Sequence, residues 1–310
     1  MILNLPKSFR ISPEVLHALA NGQPVVALES AVISHGLPRP RNAELALTLE
    51  SIMRAQGVTP ATIAFIVGKI VIGASESEIR HLAEDDAAVK INPRNIGIAI
   101  SKGLSGGTTV AATLIAASTA GIRVFATGGI GGVHRGNPFD VSADLHELAR
   151  NTVIVVCAGA KAILDIPATL ENLETRGVPV LGYQTDEFPG FYTRSSGFKV
   201  DQRVDSAQEA YKVATAHWDA GLTSSILVCN PIPGESALDK ARIDDAIDKA
   251  IESARRKGIS GTTLTPYLLE KLNKATTGQS LQANLALLEN NARLAAEIAG
   301  CFARPKLVRF

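Results

Sequence analysis

Paired cysteines are missing from this chain. Cys157, Cys229 and Cys301 are odd in number, far apart, and form no CxxC, which excludes a disulfide framework and a zinc ribbon. Reduced thiols in a cytoplasmic protein are the expectation. An excess of one charge is missing too: 31 Lys and Arg against 30 Asp and Glu leave +1. Without a basic stripe, nucleic acid is not an expected partner. An anionic small molecule remains compatible, because a phosphate needs only a few local cations and backbone amides. Met1 to Arg10 hold no apolar stretch long enough for a signal peptide. The uncharged segment 106–122 is rich in Ser, Thr, Gly and Ala and is stopped by Arg123. It predicts a buried helix rather than a membrane span. Linkers, low-complexity tracts and repeats are absent as well, so one α/β domain over residues 1–310 is expected.

What is present is an alternation of apolar runs and helical patterns, the signature of a sheet covered by helices. Pro24–Leu28, Ala61–Val67, Val89–Ile91, Arg123–Ala126, Val153–Val156, Val178–Leu181 and Ser225–Val228 read as strands. Ala46, Leu49, Ile52 and Met53 mark a helix face closed by Gly57, and Ser75 with Glu78 makes a capping box. Asn92-Pro93 reads as an N-cap and first turn. Thr108–Ala120 reads as a helix that is apolar on nearly all sides. Ser206 caps a helix that Gly221 ends. The last third reads as helices over Leu238–Lys257, Pro266–Lys274 and Ser280–Ala299. The fold class is a three-layer α/β/α sandwich around a mostly parallel central sheet.

Several positions carry chemistry-bearing residues. Thr127 opens a loop with four glycines in six positions, Thr127–Gly132, directly after a strand. Glycine permits positive φ and lets backbone amides approach an anion. The spacing fits neither a Walker loop nor GxGxxG, so a tight loop around a small ligand is expected. Lys161 follows an apolar strand in Cys157-Ala-Gly-Ala-Lys161. Loss of solvation there would lower its pKa and free a nucleophilic amine, although a snorkelling surface lysine has the same signature. Glu29 stands at the end of the first strand, where carboxylates line the crevice of open α/β folds; partial burial would let it donate a proton.

Asp140 lies before the helix cap Ser142 and is free to bind Mg²⁺ or Mn²⁺, whereas Asp144 suits the positive helix end. Lys90 and Arg94 flank the helix start at Asn92-Pro93, a plausible phosphate seat. His35 and His134, beside glycines, could bind ligand. Asn284, Asn290 and Asn291 could read a base edge or cap a turn.

These stretches resemble the pseudouridine-5'-phosphate glycosidases, also called indigoidine-synthase-A-like proteins. The resemblance rests on Val25–Ser30, Ile33–Gly36, Pro60–Ala64, Thr108–Val110, Phe125–Gly136, Ser142–Asp144, Cys157–Lys161 and Asn230–Pro233. It implies cleavage of the C–C glycosidic bond of pseudouridine 5'-phosphate to uracil and ribose 5-phosphate, through a lysine Schiff base and with Mn²⁺ or another divalent cation. By the same resemblance Lys161 attacks C1' of the ribose, Glu29 donates the proton and Lys90 meets the phosphate. Val110 lines the pocket, Ser142, Ala143 and Asp144 contact substrate, and Asp140 ligates the metal. Thr127, His134 and Asn284 match further active-site positions. A homotrimer is implied as well. The chain departs from the family pattern at Asn92-Pro93-Arg94, where a serine and two arginines are usual. It also departs at Ala31 and in a short segment between Arg135 and Asp140. Another Schiff-base lyase or aldolase of sugar phosphates, or a non-catalytic sugar-phosphate sensor, would share most of these features.

Overall fold

The computed structural model describes residues 5–259 and 264–303. Its strands are β1 Phe9–Ile11, β2 Val25–Leu28, β3 Thr59–Ile66, β4 Lys69–Ile72, β5 Val89–Ile91, β6 Gly106–Thr108 and β7 Val124–Ala126. They continue with β8 Val133–His134, β9 Asn137–Val141, β10 Ile154–Cys157, β11 Leu164–Asp165, β12 Val180–Tyr183, β13 Gln202–Val204 and β14 Ile226–Cys229. Helices are α1 Pro13–Ala20, α2 Arg41–Ala55, α3 Glu76–Glu84, α4 Ile96–Lys102, α5 Val110–Thr119 and α6 Ala143–Leu148. They continue with α7 Ile166–Thr175, α8 Ala207–Asp219, α9 Lys240–Arg256, α10 Leu264–Ala275 and α11 Gln279–Gly300.

The three-layer arrangement expected from the sequence is the one found. Strands β3, β2, β7, β10, β14, β12 and β13 lie side by side in that order, all parallel. The central ones read Val-Val-Ala-Leu, Ile-Val-Val-Cys and Ile-Leu-Val-Cys and are buried throughout, as sheets covered on both faces require. Helix α11 lies across β2, β7 and β10 and packs on α2 and α8, while α5 packs on β2, β3 and α6. Cys157 and Cys229 are register partners on β10 and β14, both buried and free. Burial, then its neighbour Cys157, pushes the Cys229 thiol up. Among the described residues, no helix is long and apolar enough to cross a membrane.

Two departures from the sequence reading shape the site. The predicted helix over Thr108–Ala120 starts later, at Val110, because residues 106–108 form β6. Strand β6 runs antiparallel along the second half of β3, at Ala64 and Phe65, while β2 runs parallel along its first half, Thr59 to Thr62. Strand β4 occupies the other edge of β3. The C-terminal ends of β2 and β6 therefore meet head to head. Ser30 Oγ donates to the Ile63 carbonyl at 2.6 Å and accepts from the Thr108 N–H at 3.0 Å. Thr108 Oγ1 donates to the same carbonyl at 2.7 Å.

Asn92-Pro93 is not a helix start. Asn92 Oδ1 accepts from the Arg94 N–H at 3.0 Å, and Asn95 Nδ2 donates to the Lys90 carbonyl at 3.0 Å. These side chains build a local turn in competition with the helix, and α4 begins only at Ile96.

Candidate active site

Glu29 immediately follows β2 and Thr127 immediately follows β7, while β10 leads into the turn that carries Lys161. These strands are neighbours, so their C-terminal ends open one crevice. Leu28 and Ala126 are in register, which sets Thr127 beside Glu29; its hydroxyl donates to Glu29 Oε1. The β7–β10 ladder continues past both strands. Ala158 N–H donates to Gly128 O at 2.9 Å, Ile130 N–H to Gly159 O at 3.0 Å, and Lys161 N–H to Ile130 O at 3.0 Å. The backbone of Lys161 is thereby as fixed as a strand residue.

Electrostatics tie four side chains together. Glu29 is only 9% exposed. Burial raises its carboxyl above the ordinary glutamate range, opposed first by the Lys161 charge and then by the Thr127 hydroxyl. Lys90, on β5, is pushed down by burial and then by repulsion from Lys161, against attraction to Glu29 and Asp144. Burial thus disfavours the charged form of both groups, raising the carboxyl and lowering the lysine.

Asp144 joins this group in a structural capacity as well. Its Oδ1 accepts from the Ala111 N–H at 2.9 Å and its Oδ2 from the Gly131 N–H at 2.8 Å. It therefore caps the positive end of α5 rather than its own α6, and pins the glycine loop to that end. Ser142 caps α6 as expected, accepting from the Asp144 N–H at 3.2 Å. Ala143 is exposed on the first turn of α6. Val110 is buried at the first turn of α5, 1% exposed.

The glycine loop is built for a different reason than its sequence implies. None of Gly128, Gly129, Gly131 or Gly132 adopts positive φ. They are glycine because neighbours crowd them. A Cβ at Gly129 would lie 2.6 Å from the Phe191 ring, and one at Gly131 2.3 Å from Ser142 Oγ. Phe191 itself takes the left-handed conformation, φ 66°, a strained state for an aromatic residue.

Asn291 supports the loop from α11. It is fully buried, donates to the Thr127 carbonyl at 2.9 Å and accepts from Asn230 Nδ2 at 3.1 Å. Asn290 donates to the Pro231 carbonyl at 3.2 Å. Of the three candidate amides these two are thus spent on structure. Asn284 has no hydrogen bond among the described residues, and sits one turn before Leu288, which packs on Gly128. Asn291→Leu is expected to cost about 1–3 kcal/mol through unpaired buried partners, read as a lower urea midpoint.

The other candidates lie on different elements. Arg94 is exposed and is not among the charges acting on Lys90 or Glu29. The helix start expected between Lys90 and Arg94 is absent, since α4 begins at Ile96. His134 and Asp140 lie on a small antiparallel sheet of order β11-β8-β9, His134 paired with Leu164. Asp140 is half-buried and has no hydrogen bond or ion pair among the described residues. Those residues hold no cluster of three or more metal-binding side chains. A cation there fits only as one carboxylate plus water, a manner common for hard, reluctantly dehydrated ions.

His35, left as a lone histidine by its sequence, is closer to the chemistry than that reading allows. It lies in a π-helical turn, Val32–Gly36, packed on β5 and β6. Ser34 Oγ is 2.6 Å from its Nδ1, and burial, then Lys90, lowers its pKa. The adjacent Ser30–Thr108 hydroxyl network was not singled out at all. Ser30 ends the run Val25–Ser30, but only the pairing of β2 and β6 with the same strand, β3, reveals its part.

The family model described as "Indigoidine synthase A like protein" matches residues 14–301. The chain belongs to this family. A pseudouridine-5'-phosphate glycosidase of Caldanaerobacter subterraneus subsp. tengcongensis is 56% identical, over 93% of this chain and 95% of its own. One of Clostridium botulinum is 53% identical, with 95% and 97% covered. Among solved family structures, the prealnumycin C-glycosynthase AlnA in complex with ribulose 5-phosphate has a TM-score of 0.89 at 39% identity, covering 96% of this chain and 97% of that one. An indigoidine synthase A-like protein from Thermotoga maritima has a TM-score of 0.86 at 38% identity, with 94% and 95% covered. The named glycosidases and the C-glycosynthase thus break or make a C-glycosidic bond, and the synthase is in complex with a sugar phosphate.

Proposed function

We propose that this chain cleaves pseudouridine 5'-phosphate to uracil and ribose 5-phosphate, with Lys161 as nucleophile and Glu29 as acid. The observation that carries this reading is the buried Glu29 carboxyl, raised in pKa and acted on by the Lys161 charge, the two residues following strands β2 and β10 on either side of β7. An ordinary glycosidase protonates a leaving oxygen or nitrogen; here the leaving atom is C5 of uracil. Glu29 gives its proton to the ring oxygen as the Lys161 amine adds to C1', opening the ribose. The cationic adduct nitrogen sheds one proton to the Glu29 carboxylate. The C1'–C5 bond then breaks. Its electron pair goes to C5, which takes that proton from Glu29, while the nitrogen lone pair so freed forms an iminium with C1'. Water hydrolyses that iminium, releasing ribose 5-phosphate and regenerating the amine. Splitting one difficult step into two is the use of covalent catalysis.

Lys90 meets the phosphate in this reading, and Thr127 orients Glu29. Asp140 would hold Mn²⁺, which supplies electrostatic stabilisation of polar groups in the site. The test is to incubate the protein with pseudouridine 5'-phosphate and Mn²⁺ and to separate the products. Uracil and ribose 5-phosphate in equal amounts are expected; an aldehyde fragment instead of uracil would indicate an aldolase, and binding without product a sensor. Chelation should stop release, and Asp140→Asn should weaken Mn²⁺ activation at least about tenfold, the scale even of outer-shell metal partners. Unchanged activation in Asp140→Asn would remove the metal from that residue.

A further inference from the structure

Arg135 follows His134 at the turn between β8 and β9, and its guanidinium reaches across to the turn that begins with Lys161. Nε donates to the Leu164 carbonyl at 3.1 Å and Nη2 to the Ala162 carbonyl at 3.3 Å. Nη1 pairs with Asp248 of α9 at 3.2 Å. The same turn is closed by the Leu164 N–H donating to the Lys161 carbonyl at 2.9 Å. Lys161 is therefore held on its N-terminal side by the β7–β10 ladder and on its C-terminal side by one planar fork.

We infer that Arg135 is a positioning residue for Lys161, holding the turn that presents the amine to the sugar. The inference rests on the proposed function above. Its physical basis is the fixed donor geometry of a guanidinium, which spans two carbonyls and a carboxylate at once. An ammonium on a flexible stem offers a single nitrogen and cannot reproduce that reach. With both carbonyls released the turn relaxes, and displacement of a nucleophile by about 1 Å costs roughly 10²-fold in rate. Arg135 also lines a cleft of about 360 Å³ with Ala162, Asp165, Lys240, Asp244 and Asp248, through which a small cation can enter.

The test measures kcat and KM for uracil release in the parent enzyme and in Arg135→Lys, Arg135→Met and Asp248→Asn. Both Arg135 variants are expected to lose kcat by about 10²-fold with KM within about threefold, because ground-state binding is left intact. Asp248→Asn should stay near the parent, since it breaks only the tie to α9. Added guanidinium, and not tetramethylammonium at equal ionic strength, should restore part of kcat in Arg135→Met. Full kcat in Arg135→Lys would overturn the inference. So would an Asp248→Asn loss as large as that of Arg135→Lys, or a loss in Arg135→Met untouched by guanidinium. Arg135→Lys keeps the charge and most of the packing, so it reads the fork even where the Met variant fails to fold. No release from the parent enzyme would instead overturn the functional reading, and this inference with it.

Discussion

Lys161→Ala is expected to abolish uracil release, by about 10⁴-fold or more, while the protein still folds. Removal of a group on which every covalent step depends leaves only binding and polarisation, and such losses lie in this range or above it. The fold should survive because Lys161 is half-buried and is not part of the apolar core. Its main-chain N–H still donates to the Ile130 carbonyl, at 3.0 Å in the parent. Loss of the ammonium also relieves the repulsion felt by Lys90. Borohydride reduction in the presence of ribose 5-phosphate should add one sugar phosphate to the parent protein and none to the variant, by mass. Turnover in Lys161→Ala, at unchanged melting temperature, would sink the Schiff-base mechanism.

Glu29→Gln should lower kcat by roughly 10²–10⁴-fold, the usual worth of a positioned acid, and change the pH profile. Burial raises the Glu29 carboxyl, so the proton needed for ring opening is present below that raised value and lost above it. The parent should show a declining alkaline limb that the Gln variant lacks. Stability should move the opposite way. With the folded pKa above the unfolded one, the native state holds the proton more tightly. The carboxyl's contribution is complete below the unfolded pKa and fades as pH rises through the folded value. Glutamine has no charge to desolvate, so Glu29→Gln is expected to melt at or above the parent at pH values above the raised pKa. A less stable variant there, or a retained alkaline limb, would show that Glu29 is not the buried acid.

Much of the scaffold was legible from local pattern. The four-residue apolar runs of β2, β10 and β14, and the caps Ser75 and Ser206, appear where the sequence places them. Burial periodicity and capping chemistry act over a few residues, and so are written locally. Ser142 was legible for the same reason. The glycine loop was found, yet its cause was not: crowding by Phe191 and Ser142 comes from segments distant in the chain. Asn92 misled because asparagine serves a local turn as readily as a helix cap.

By itself the sequence determined that strands alternate with helices, that Glu29 follows the apolar run Pro24–Leu28, and that a lysine follows an apolar strand at Lys161. It also determined, through motif resemblance, the family to which these residues belong. Only the tertiary structure decided which strand lies beside which. That order brings Glu29 to Thr127 across 98 positions of sequence and sets β6 head to head with β2. It leaves Arg94 outside, and gives Asp144 to the end of α5. Strand order depends on pairings between distant segments, which close only when the whole sheet assembles, and no short-range pattern encodes them.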